Sequence, residues 1–175
     1  MESFDLLMLM GLRWLHLIFG VTWVGMLFYF NFVNVSVMKK LDAATKLKVI
    51  PELMPRALFF FRWGAMGTLF TGLAYLDKTS NHFSAAYFNE STGQTILVGI
   101  LLGCVMFFNV WFVIWPRQKK IIAATIAQAT NGTQPPPEMA RWARVAYLAS
   151  RTNTYLSFPM LFFMGAASHF PHKIF

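Results

Sequence analysis

Apolar residues gather in four stretches, separated by polar or basic segments. A helix needs about 20 residues to cross a hydrocarbon core about 30 Å thick, and each stretch reaches that length. The first covers residues 14–38, with Arg13 at its start and Lys39-Lys40 at its end. The residues ahead of it, FDLLMLMGL, are also apolar, so this helix begins earlier or that piece lies along the interface. The second covers 57–76 and follows Pro55, a residue suited to a helix start. The third, 94–115, is expected to end at Pro116, and the fourth, 143–168, to kink at Pro159. The pattern therefore predicts one all-α membrane domain spanning 1–175, a bundle of four transmembrane helices.

The connecting segments differ in charge. Residues 39–56 carry Lys39, Lys40, Lys46, Lys48 and Arg56, and residues 117–144 carry Arg117, Lys119, Lys120, Arg141 and Arg144. The opposite side carries Arg13, Lys78 and Lys173. Basic loops stay in the cytoplasm, so both termini are expected outside. The segment RQKKIIAATIAQA reads as a short cytoplasmic surface helix between spans three and four, followed by a flexible turn, TNGTQPPPE. Glycines provide close helix approach: Gly99 and Gly103 form GxxxG on the third span, and Gly64, Gly67 and Gly72 line the second.

Composition agrees with this reading. The chain is 57% hydrophobic and only 13% charged, about half the charge of an ordinary soluble domain. The net charge of +8 sits in loops between apolar runs rather than across a folded face, which argues against a nucleic-acid partner. The natural partners are the lipid bilayer and other membrane subunits, or further copies of the same chain. A lone cysteine, Cys104, excludes an internal disulfide and any CxxCH motif. The acidic start (Glu2, Asp5) and the long first apolar run give no expectation of a cleavable leader.

Ionisable residues inside a membrane are costly, so they are functional candidates. His16, in RWLHLIFGVTWVG, lies near the outer end of span one, with Gly20 one turn deeper and Trp23 beyond it. His169 lies near the outer end of span four, with Gly165 one turn deeper. The two spans run in opposite directions, so both imidazoles are expected at similar height. Imidazoles bind haem iron, and glycines let a flat macrocycle approach a helix. Arg13 is on the His16 face and suits an outward propionate. His172 is an alternate ligand, and His82 is expected to be solvated in the outer loop. Against this stands a plain role for His16, a hydrogen bond across the bundle. A second polar group comprises Arg62, Asn109, Arg151 and Asn153 toward the inner half, joined by Asn31, Asn34 and Ser157. It suits a quinone head group or another anion, unless the arginines reach the interface and the amides join helices. No acidic pair lies in the spans, and HExxH, P-loop and GxGxxG motifs are absent, so a cofactor must carry any chemistry.

The segments RWLHLIFGVTWVGMLFYFNFVNV, PRALFFFRWGAMGTLFTGLAYL, NVWFVIWPRQKKI and SRTNTYLSFPMLFFMGAASH resemble the urate oxidase N-terminal domain family, the membrane part of membrane-bound urate hydroxylases. The resemblance covers all four spans. It implies a multi-helix bacterial inner-membrane protein linked to respiration. In fuller relatives a c-type cytochrome domain follows, whereas this sequence has no CxxCH to hold such a haem. A looser likeness links the chain to the four-helix protoporphyrinogen oxidases, which also have a histidine in the first span and are associated with haem b. Those enzymes use a lysine in a later span, and spans two to four contain none.

The expected function is therefore that of a haem-b electron-transfer protein, alone or within a respiratory or oxidase complex. His16 and His169 would be axial ligands, Arg13 a propionate partner, and cytochrome c or a quinone the redox partner. The alternatives are an oxidoreductase acting on a urate-like purine or a porphyrinogen, and a non-catalytic accessory subunit.

Overall fold

A computed structural model describes residues 3–169, and all regular structure among them is helical. His172 and Lys173 lie outside the described residues. Helix α1 spans Ser3–Phe28 and passes through a π turn, π1 (Tyr29–Asn34), into α2 (Val35–Lys40). The apolar piece ahead of Arg13 thus belongs to the first helix. Leu41 and Asp42 are extended and break the chain before α3 (Ala43–Thr79). Asp42 caps α3: its carboxylate accepts the Thr45 N–H at 2.9 Å and the Thr45 hydroxyl at 2.6 Å. Pro51 and Pro55 lie inside α3 rather than before it, so most of the expected first basic loop is helical. At 37 residues α3 is about 55 Å long and outreaches the hydrocarbon core.

A tight reversal joins α3 to α4 (Ala85–Asn89). Asn81, His82 and Phe83 all have positive φ there, of 52°, 57° and 59°. The Ser80 hydroxyl, itself buried, accepts the Phe83 N–H at 2.9 Å and holds this left-handed turn. His82 is exposed, but its Nδ1 lies 3.0 Å from the Asp77 carboxylate. Helix α5 (Ser91–Phe108) passes through a second π turn, π2 (Asn109–Ile114), into α6 (Trp115–Asn131). The helix that carries the third apolar stretch therefore does not stop at Pro116, and the expected surface helix continues the same rod. Proline has no N–H and clashes with the carbonyl four residues back. Here the wider π turn immediately precedes Pro116, and the Arg117 side chain donates to the Val113 carbonyl at 2.8 Å. Gly132, left-handed at φ 64°, ends α6, and α7 (Met139–His169) closes the fold with Pro159 inside it.

Three rods, Ser3–Lys40, Ala43–Thr79 and Ser91–Asn131, are long and apolar enough to cross a membrane, and the protein is a membrane protein. Helix α7 has the length, but Ser150, Asn153, Thr154 and Ser157 give it a buried polar stripe that lowers its hydropathy. Packing pairs α1 with α3 and α5 with α7, while α6 touches both α3 and α7. The core sits toward the middle of the bundle, around Leu27, Leu58, Phe61, Met106 and Val110, with Phe30 edge-on to Phe61. The contacts His16–Gly72, Phe19–Gly67 and Trp23–Gly64 set α1 and α3 antiparallel, and Phe28–Phe158 with Asn31–Ser150 does the same for the first rod and α7. The basic segments around 39–56 and 117–144 consequently share one end of the bundle. The large apolar side chains left exposed, such as Leu7, Trp14, Leu17, Phe70 and Phe162, are suited to lipid.

Candidate functional site

One face of α1 presents His16, Phe19, Gly20 and Trp23 at helical spacing, and all four meet α3. The His16 ring donates from Nδ1 to the Thr68 carbonyl at 2.9 Å. It rests on Gly72, where an added methyl would lie 2.7 Å from its Cε1. Phe19 covers Gly67 closely, and the α1 backbone at Trp23 lies against Gly64. The small residues of α3 are thus a socket for the large residues of α1. A Cβ at Gly20 would lie 3.9 Å from the Thr68 methyl, an ordinary contact, so Gly20 faces α3 without being required by it. Trp23 is buried in the core rather than beside His169, and its indole N–H has no partner. Arg13 is exposed on α1.

His169 occupies a different setting at the end of α7. Its Nδ1 donates to the Gly165 carbonyl of its own helix at 2.8 Å. With Leu161, Phe162, Gly165 and Ala166 it lines a shallow, mainly apolar groove of about 330 Å³. Nothing lies within 4 Å of where a Gly165 side chain would start. Gly165, not Gly20, therefore leaves open space.

The height of the two histidines follows from the helix register. Phe28 stacks on Phe158, and Asn31 bonds Ser150 at 2.8 Å. Twelve residues back along α1 from Phe28 reach His16, and eleven forward along α7 from Phe158 reach His169. Both steps are about 17 Å. Counted instead from Asn31 and Ser150, the steps are about 23 and 29 Å, so the imidazoles lie toward the same end of the bundle, within about 6 Å of one height, one seated on α3 and the other at the open face of α7. In each, the Nδ1 hydrogen bond fixes the tautomer that leaves Nε2 as the acceptor. A carbonyl partner on the second nitrogen is the usual support of a metal-bound histidine. The two rings thus share an end of the bundle and a tautomer, while their described contacts are with different helices. Among the described residues, no three histidine, cysteine or acidic side chains gather as a metal cluster.

The inner polar group divides into three. Asn109 donates to the Asn153 side-chain oxygen at 2.8 Å, and Asn153, fully buried, donates to the Met106 carbonyl at 2.9 Å. Arg62 lies instead against aromatics of π2 and α6: its guanidinium carbon is 3.4 Å from the Trp115 ring centroid and 5.6 Å from that of Trp111. Its Nε donates to the Leu58 carbonyl at 3.2 Å. The Trp111 indole N–H beside it is buried and unpaired. Arg151 is exposed and bonds the hydroxyls of Tyr147 and Tyr155 at 2.7–3.2 Å. The two arginines do not converge. Thr68, Gly72, Trp115 and Ser150 complete these contacts but were not singled out as site residues. The glycine spacing along α3 was the one signal of a socket.

No curated protein and no solved structure matches the chain. The model of the family described as urate oxidase N-terminal matches residues 79–174, more than half of its length. That stretch contains α4, α5, π2, α6 and α7, including His169 and the Asn109–Asn153 pair, and on this match the chain belongs to the urate oxidase N-terminal family.

Proposed function

We propose that this member of the family is a haem-b electron-transfer protein of the bacterial inner membrane, working alone or as a subunit of a respiratory complex. What supports the reading is that His16 and His169 lie toward the same end of the bundle, each with its Nδ1 held by a carbonyl and its Nε2 uncommitted. A bound haem supplies reversible one-electron transfer. His16 and His169 would hold its iron, and the open space at Gly165 would leave room for it beside α7. Arg13, exposed three residues before His16, would meet a propionate. Arg62, with its spare guanidinium N–H groups beside the Trp111 indole, is the candidate for a quinone head group or another anion. A soluble cytochrome c is the alternative electron partner.

The absorption spectrum of the purified protein tests this directly. A Soret band is expected, with loss of most of it in His16→Ala and in His169→Ala at unchanged helix content. A colourless wild type that also takes up no added haemin removes the proposal.

One observation favours a second reading, a non-catalytic accessory subunit. The buried amides are committed to helix–helix hydrogen bonds, as between Asn109 and Asn153 and between Asn31 and Ser150. Colourless but well-folded protein points there. Reduction of the haem on adding urate or a porphyrinogen points instead to an oxidoreductase acting on that substrate.

A further inference from the structure

At the basic end of the bundle, the start of α6 and the start of α7 enclose a cleft of about 370 Å³, lined by Pro116, Arg117, Lys120, Glu138, Arg141 and Trp142. Three cations and one carboxylate face it. Among the described residues none of the three cations forms an ion pair, so the excess positive charge is not neutralised. Arg117 spends one guanidinium N–H on the Val113 carbonyl, which fixes its stem against the helix and leaves its other donors. Lys120 lies with Nζ 5.2 Å from the centre of the Trp142 ring. The first turn of α7 opens on the same cleft, and the partial positive charge of a helix start adds to that of the side chains.

Position narrows the ligand. Pro116 ends the third apolar stretch and Trp142 directly precedes the fourth, so the cleft stands where hydrocarbon gives way to head groups. Tryptophan favours that level, and basic pockets between helices on the cytoplasmic side bind anionic lipid head groups. We infer that this cleft is a binding site for a phosphate-type anion, supplied by the head group of an anionic phospholipid. The inference rests on the membrane placement of the rods and is independent of the haem.

The test uses the full chain purified in detergent. Phosphatidylglycerol, phosphatidylcholine and inorganic phosphate are titrated separately, with lipid retention in native mass spectrometry and thermal unfolding as readouts. Phosphatidylglycerol is expected to be retained and to raise the melting temperature, while phosphatidylcholine does neither. Removal of one cation should weaken binding about fivefold, so R117Q/K120Q/R141Q should weaken it roughly a hundredfold. The comparison variant K39Q/K40Q/K48Q removes the same charge from the same end and should stay within about twofold of wild type. If the first triple variant does not fold, the exposed single substitution Lys120→Gln repeats the reading at about fivefold. Stabilisation by inorganic phosphate, lost in R117Q/K120Q/R141Q and without preference for phosphatidylglycerol, supports the anion site and assigns its source to solution. Equal loss in the two triple variants, undiminished binding in the first, or no binding of either anion by wild type overturns the inference.

Discussion

Gly67 and Gly72 on α3 are where a single methyl group has the largest foreseeable effect on the bundle. A Cβ at Gly67 overlaps the Phe19 ring, and one at Gly72 meets the His16 ring at 2.7 Å. Overfilling a packed seam costs about 1–3 kcal/mol. Gly67→Ala and Gly72→Ala are each expected to destabilise by that amount in reversible unfolding in detergent. Gly72→Ala should also displace the His16 ring from the Thr68 carbonyl. Gly103 provides the contrast. Its Cβ position is open, although the sequence pairs it with Gly99 as a packing motif, and only Gly99 lies against Met164. Gly103→Ala should therefore be stabilising, by roughly 0.5–1 kcal/mol, through helix propensity alone. The difference explains how far the site was legible. Spacing tells which residues share a helix face, and so gave His16, Gly20 and Trp23 together. It does not tell which neighbour that face meets, and the neighbour proved to be α3.

Each π turn carries an asparagine that bonds α7: Asn31 bonds Ser150 from π1, and Asn109 bonds Asn153 from π2. In π1 the Val35 N–H bonds the Phe30 carbonyl, and in π2 the Trp115 N–H bonds the Val110 carbonyl, each five residues back. Widening a helix in this way disturbs the backbone bonds just before it, and lipid offers no water to replace them. The Leu27 carbonyl accepts from the Asn31 side chain at 2.9 Å, and the Met106 carbonyl accepts from Asn153. A double-mutant cycle on Asn109→Ala and Asn153→Ala should give a coupling of about 0.5–2 kcal/mol, toward the low side if the unfolded chain finds other partners. Hydrophobic patterning revealed the apolar stretches because it reads burial and lipid contact. It stopped the third helix at Pro116 because a helix that widens into a π turn ahead of a proline has no periodic signature. The start of α3 was also read as a loop, and its cap is testable. The hydroxyl and N–H of Thr45 hold the Asp42 carboxyl below its ordinary 3.8. A lowered folded-state value stabilises above the ordinary value, and that stabilisation disappears as the pH falls through the folded one. Asp42→Ala should thus melt lower than wild type at pH 7, and the gap should close below about pH 4.

At the scale of the whole molecule, charge and packing agree on one layout. The antiparallel register gathers Lys39, Lys40, Lys46, Lys48, Lys120, Arg141 and Arg144 at one end, and the α3–α4 reversal with the last turn of α7 at the other. Moving the basic end across a bilayer would carry all of those charges through hydrocarbon, where each costs about 2.5–3.5 kcal/mol at the centre of a helix. The bundle should therefore sit with the basic end in the cytoplasm and α7 as the fourth span. Cysteine labelling checks both points, because the one native cysteine is replaceable. Cys104 is exposed on the apolar face of α5, so Cys104→Ser gives a background with small expected effect on stability. In that background, cysteines at Asn89 and Ser168 should react with a membrane-impermeant maleimide in intact cells. Cysteines at Asp42 and Gly132 should react only after the membrane is opened. Labelling at Ser168 with the pattern of Gly132 would leave α7 on the inner side and reduce the bundle to three spans. In that case His16 and His169 would no longer share the outer side, and the proposed haem ligation would be lost with it.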